Sequence, residues 1–297
     1  MINEFTIDPE ALSEINMVWQ ALEQFGVPHG RLISEFPRRW MRDVYDATSG
    51  CPPIQRSKLE IRLQRLRSKL VRSRNGRKPD PAHTWRQKAH AEDANEPFHA
   101  IIQLNNDEGH ERVLTPLDLT DDNAIWNVAT ERPVPRTPTA LAEALGPLGR
   151  ISKELLFVDP HFANEQRWSS VLLAALNECN TAALGHKRIE FHTGQFPDRR
   201  TLEASVNQYI APRLSRSISI RFVLWEQKDS GEKMHARYFL TERGGIRFDF
   251  GLDAGAPGET TDVGLMSEEL YAERWANYQN ETAAYKKVDE FVVTGRV

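Results

Sequence analysis

The stretch EKMHARYFLTERGGIRFDFGLD, residues 232–253, decides how the second half of the chain is read. MHARYFLT and GIRFDFGL are apolar-rich runs on either side of a short polar turn, the pattern of a β-hairpin. His235 and Arg237 differ by two positions, so on a strand both side chains point to one face. Glu242 follows Arg237 by five positions, and Gly251-Leu252-Asp253 closes the stretch. An imidazole and a guanidinium side by side at the mouth of a hairpin suit a phosphate group, since Arg binds phosphate through paired hydrogen bonds.

Moving outward, the residues before the hairpin alternate between helical and strand patterns. TALAEALGPLGR predicts a helix and ELLFVD a buried strand; WSSVLLAALNECNTA and RIEFHT repeat the pair, then TLEASVNQYIAPRL and SISIRFVLWE. SEELYAERWANYQNE predicts a closing helix. Strand–helix–strand alternation implies a parallel or mixed sheet covered by helices, an α/β fold with right-handed crossovers. In such sheets functional groups gather at the carboxyl ends of strands. Asp159 and His161 follow the first strand and His192 ends the second. Each also has a purely local reading, as a strand-end turn or a helix cap.

The first part of the chain reads differently. Asp8, Pro9 and a stripe of Leu12, Ile15, Val18, Leu22 and Phe25 predict a helix ending at Gly26. Short helices are expected at 29–36 and 37–47, with Trp40 free to stack on a base. A longer helix is expected through 56–74, with Leu59, Leu63, Leu66 and Leu70 on one side. Residues 1–90 are thus expected to be a mainly helical basic region. Residues 91–137 are expected to hold a β-hairpin, around Asp107-Glu108-Gly109, and a Pro-rich connector, ERPVPRTPT. The α/β domain is expected over 138–297.

Net charge is −4, yet residues 31–90 hold sixteen Lys or Arg against five Asp or Glu, leaving the rest of the chain at −15. Such asymmetry marks a segment that meets a polyanion, an acidic protein surface or anionic lipid. The candidate phosphate contacts are Arg38, Arg39, Arg42, Arg56, Lys58, Arg62, Arg65, Arg67, Lys69, Arg72 and Arg74. Two cysteines without CxxC spacing argue against a disulfide framework or a thiolate zinc site, and no metal or cofactor is expected. No apolar run approaches the roughly 20 residues that span a bilayer, and no secretory signal is visible, so a cytoplasmic protein is expected.

The order HxR, four residues, Glu, seven residues, Phe-Gly-Leu-Asp resembles the phospholipase D superfamily, whose motif is HxK, four residues, Asp, then GSxN. It is closer still to the phospholipase-D-like domain at the C-terminus of MIT-domain proteins, where HxRY, a carboxylate and GLD occur in this order. The resemblance covers about residues 138–297. It implies a phospholipase-D-like mixed sheet, His235 as nucleophile on phosphorus, Arg237 as phosphate clamp and Glu242 as orienter, without a metal. Gly251 and Asp253 stand where the superfamily has serine and asparagine, so Asp253 near phosphate needs a partner of its own. The superfamily's chemistry uses two histidines, here from a homodimer mate or from His161 or His192. The superfamily resemblance implies a phosphodiesterase, which with the basic segment is read as a nuclease on DNA or RNA, and the general look of the chain suggests the kind found in bacterial defence or mobile-element systems. The closer, MIT-type domain binds acidic phospholipid head groups without catalysis. The alternative is an inactive module binding nucleic acid, phosphate head groups or a protein partner within a larger complex.

Overall fold

Phe5 and Ile7 are fully buried while Thr6 between them faces the opposite way, which is the mark of a strand covered on both sides. A computed structural model describes the chain apart from residues 13–22, 67–68, 72–76, 78, 164, 182–184, 195–197, 230 and 280–283, with only the backbone at 59, 62, 63 and 66. Two units, Met1–Thr130 and Glu131–Val297, each carry their own sheet, and the fold is mixed α/β.

The first unit runs β1 (Asn3–Ile7), β2 (Arg31–Ser34), α1 (Trp40–Ala47), α2 (Pro53–Leu66), β3 (Leu70–Val71), α3 (Trp85–Asn95), β4 (Ala100–Ile102) and β5 (Val113–Leu114). The strand order is β3-β2-β1-β4-β5, and every neighbouring pair is parallel. One face buries Phe5, Ile7, Ile33, Ala100 and Ile102 against Trp40 and Val44, and the other sets Ile101 and Val113 against Phe36, Ala89 and Phe98.

This corrects the expectation of a mainly helical region over 1–90 and of a hairpin within 91–137. RLIS, expected in a helix, is a strand buried along its whole length, because a sheet covered on both faces has no polar side to alternate with. β4 and β5 lie parallel in the first sheet, so they are not the arms of a hairpin. A helix is present at 40–47; the one expected through 56–74 runs over 53–66 instead, and Leu70, expected on its apolar stripe, lies in β3. Trp40 is fully buried, its indole N–H donating to Ile7 O at 2.6 Å, so it is not available to stack on a base.

The second unit runs β6 (Glu131–Pro135), α4 (Pro138–Ile151), β7 (Glu154–Val158), α5 (Gln166–Glu178), β8 (Arg188–Gly194), α6 (Arg199–Tyr209), β9 (Ser219–Gln227), β10 (Arg237–Thr241), β11 (Gly244–Phe248), β12 (Thr260–Leu265), α7 (Glu268–Asn277) and β13 (Tyr285–Thr294). The sheet order is β13-β9-β8-β7-β10-β11-β12-β6. β7, β8 and β9 are parallel, as the strand–helix rhythm predicts; every other pairing is antiparallel. Phe157, Phe162, Phe191, Phe222 and Phe239 stack ring on ring in the core, with centroids 4.2–6.2 Å apart. The Pro-rich segment is the edge strand β6, so this unit begins at Glu131 rather than 138. Val134 is buried there, while Pro133 and Pro135 occupy positions whose missing amides face away from β12, the next inward amide being Arg136 N–H to Glu259 O.

Candidate functional site

β7 runs parallel to β8 and antiparallel to β10, so the carboxyl end of β7 meets the start of β10 and, beyond it, the end of β11. The last β7–β10 pair is Val158↔Tyr238. Continuing that register sets Arg237 against Asp159 and His235 against His161. The rings of His161 and His235 are 6.1 Å apart, centre to centre, and nearly perpendicular. Two histidines separated by 74 positions thus meet within one chain, both exposed.

Asp159 sits beneath them, fully buried. Its carboxylate accepts the backbone N–H of His161 at 3.0 Å and of Leu252 at 2.8 Å, with the Trp168 indole N–H at 3.4 Å. One side chain therefore ties the turn after β7, the Gly251–Asp253 loop and α5 together. Burial pushes the Asp159 carboxyl above its ordinary value, against those amide hydrogen bonds and the charge of Arg237. His161 is pushed the other way, by partial desolvation and then by the positive charge of Arg237. The Arg237 side chain is half-buried.

Asp253 is buried and has the partners it needs: Arg136 Nη2 lies 2.8 Å away and Arg167 Nη1 3.4 Å. Two guanidinium groups neutralise it, so it does not confront a phosphate as a bare charge. Gly251 is required beside it, since a Cβ there would stand 2.6 Å from Asp253 Oδ1 and 3.0 Å from Asp159 Oδ2.

Glu242 is not with them. At about 3.3 Å per residue, five strand residues carry it roughly 17 Å from Arg237, to the opposite edge of the sheet. There its carboxylate accepts the backbone N–H groups of Lys153 and Glu154 at 2.8–3.0 Å, pinning the start of β7. The orienter role expected for it has no geometric basis, and the carboxylate beside the histidines is Asp159.

His192 is also elsewhere. It is buried at the end of β8, with the Trp225 indole N–H on Nδ1 at 2.9 Å and Glu190 on Nε2 at 3.0 Å. Burial holds it below its ordinary value, and the indole donor fixes the neutral tautomer. It is a satisfied core histidine.

Among the expected phosphate contacts, Arg38, Arg39, Arg42, Arg56, Lys58 and Arg65 are exposed and Lys69 is half-buried. Arg42 pairs with Asp46 and Arg56 with Glu60 along their own helices. Arg67, Arg72 and Arg74 lie outside the described residues, as do Ile15, Val18 and Leu22 of the first expected stripe and the side chains of Arg62 and of Leu59, Leu63 and Leu66 of the second. Residues the sequence reading missed are Arg136, Arg167 and Trp168, whose positions in the sequence carry no motif.

No model of a protein family matches this chain, and no curated protein matches it. Among solved structures, it is similar to TrmBL2, an archaeal chromatin protein whose structure is described as showing a novel mode of DNA binding, at 11% identity and a TM-score of 0.26 over 49% of each chain. The chain spans about half the length of that protein, and a likeness of this degree carries no argument about function. No helix among the described residues is long and apolar enough to cross a membrane.

Proposed function

We propose that the second unit is a phospholipase-D-like phosphodiesterase acting through a pair of histidines in a single chain. The observation that carries this reading is the His161–His235 pair, 6.1 Å apart beside Arg237, with Asp159 fixing the backbone of one of them. In this scheme neutral His235 attacks phosphorus as the P–O bond to the leaving oxygen breaks. That oxygen takes a proton from His161. Water then attacks the phosphohistidine, giving its proton to His161 as the P–N bond breaks and His235 leaves. Arg237 binds the non-bridging oxygens through the transfer. The second histidine then need not come from a dimer mate. The exposed cations of the first unit, Arg38, Arg39, Arg56, Lys58 and Arg65 among them, give a surface for holding a polyanionic substrate, which favours nucleic acid.

The test is cleavage of labelled single- and double-stranded DNA and RNA in EDTA, by the wild type, His235→Ala and His161→Ala. Cleavage that falls at least about a hundredfold in each variant is expected, the size of a lost general acid or nucleophile. Binding without cleavage between pH 5 and 8 leaves the second reading, a non-cleaving phosphate module. The loss of serine and asparagine at Gly251 and Asp253 favours that second reading.

A further inference from the structure

Phe250 opens the loop that carries Gly251 and Asp253, and its ring is 56% exposed. Single exposed apolar residues are common on proteins, so exposure alone says nothing. Position says more. The β10–β11 register ends at Arg237↔Phe248, and continued by two residues it sets Phe250 at the level of His235. The backbone that carries the ring is held, and a cation lies near the ring. The Phe250 backbone N–H donates to Thr261 Oγ1 at 3.1 Å, and the Arg136 guanidinium lies 5.2 Å from the ring centre. Arg136 is itself immobilised by Asp253 at 2.8 Å and Glu259 at 2.7 Å, and only 13% of its side chain is exposed. An aromatic ring with a cation near it, next to a phosphate-binding pair, is the arrangement that takes an unpaired base.

We propose that Phe250, backed by Arg136, is the platform on which a base flanking the scissile phosphodiester stacks, making single-stranded nucleic acid the ligand of this site. This rests on the phosphodiester reading above and narrows it. Bases inside a duplex are stacked on one another and present no free face to such a ring; an unpaired base does. A lipid headgroup offers no flat ring to occupy it.

The experiment uses the full chain, as wild type, Phe250→Ala, Phe250→Trp and His235→Ala. The probes are a labelled single-stranded oligonucleotide, the same strand with abasic tetrahydrofuran residues around its centre, its duplex, and anionic phospholipid vesicles. Binding is read by fluorescence anisotropy and co-sedimentation, cleavage by gel. Stacking is worth about 1–3 kcal/mol per base, so Phe250→Ala weakens binding of the single strand by about five- to 150-fold. Where cleavage occurs, the loss falls on KM rather than kcat. Phe250→Trp restores it, and the abasic strand binds both proteins alike. Equal binding of the single strand by wild type and Phe250→Ala, an equal loss on the abasic strand, preference for the duplex, or binding to vesicles alone would overturn the inference. Base-dependent binding without cleavage by the wild type would sink the catalytic reading and leave the base platform standing.

Discussion

At the scale of single residues, His161 is the group whose chemistry the structure defines most sharply. Desolvation and Arg237 both lower its pKa, which makes it a readier proton donor but a less often protonated one at neutral pH. If it is the acid that protonates the leaving oxygen, kcat must fall as pH rises through that lowered value. The alkaline limb is then expected below pH 6.5, the ordinary histidine value, and Arg237→Gln is expected to move it upward by removing a positive charge. A kcat that instead rises through the same region would exchange the two histidines' roles. Asp159 supplies a second prediction. Removing its carboxylate in Asp159→Ala leaves the buried N–H groups of His161 and Leu252 without acceptors, so a loss of about 2–4 kcal/mol is expected in denaturant melts. Its raised pKa means that the folded chain holds this proton more tightly than the unfolded one. That contribution is complete below the ordinary carboxylate range and is lost as pH rises through the raised value; Asp159→Asn is expected to abolish this pH dependence.

At the scale of elements, the central strand β8 depends on a buried charge. Glu190 accepts from Arg188 at 2.6 Å, His192 at 3.0 Å and Arg221 at 3.1 Å. Burial alone would push its carboxyl up, but the hydrogen bonds from His192 and Arg188 hold it at about 2. Stability from Glu190 is therefore present above 4.5 and is lost as pH falls toward 2, which acid titration of the melting temperature reads directly. Glu190→Gln is expected to cost about 3 kcal/mol, because it leaves two half-buried guanidinium groups with a weaker acceptor.

Elements also show what was legible in advance. β7 and β9 could be read from their apolar runs, LLFV and FVLW, and β8 from its place in a regular alternation with helices of clear periodicity. Of the first sheet, the strands on either side of Asp107-Glu108-Gly109 were legible but not their parallel pairing, while β3, with two residues, carries no period at all. His235 and Arg237 were readable from their period-two spacing on one strand. Glu242 misled because spacing along a strand says nothing about which end of the sheet a group reaches. Arg136 stayed hidden because its partner Asp253 is 117 positions away, in a contact only the folded sheet creates.

At the scale of the whole molecule, the two units have separate sheets and separate cores, and the histidine pair with all its supporting residues lies after Thr130. Residues 131–297 expressed alone are expected to melt in one cooperative transition and to retain binding of short single strands. Relative to the full chain, this fragment is expected to bind long polymers with a shallower dependence on salt. The slope of log K against log salt should drop by about 0.7 to 0.9 for each phosphate that the first unit neutralises in the full chain. An unfolded fragment, or an unchanged slope, would count against this division of labour.

The prolines of β6 have a consequence at this scale too. An eight-stranded open sheet has two outer strands, and each exposes a row of backbone groups that another chain could join. On β6, Pro133 and Pro135 take two outward amide positions, so two of the N–H donors that an incoming strand would need are missing. At the other margin, β13 carries Lys286, Lys287, Asp289 and Glu290 along its length. A sheet guarded on both flanks in this way resists growing strand by strand into fibres. A second copy joining this sheet as a further strand would meet the two prolines at β6 and a run of charges at β13.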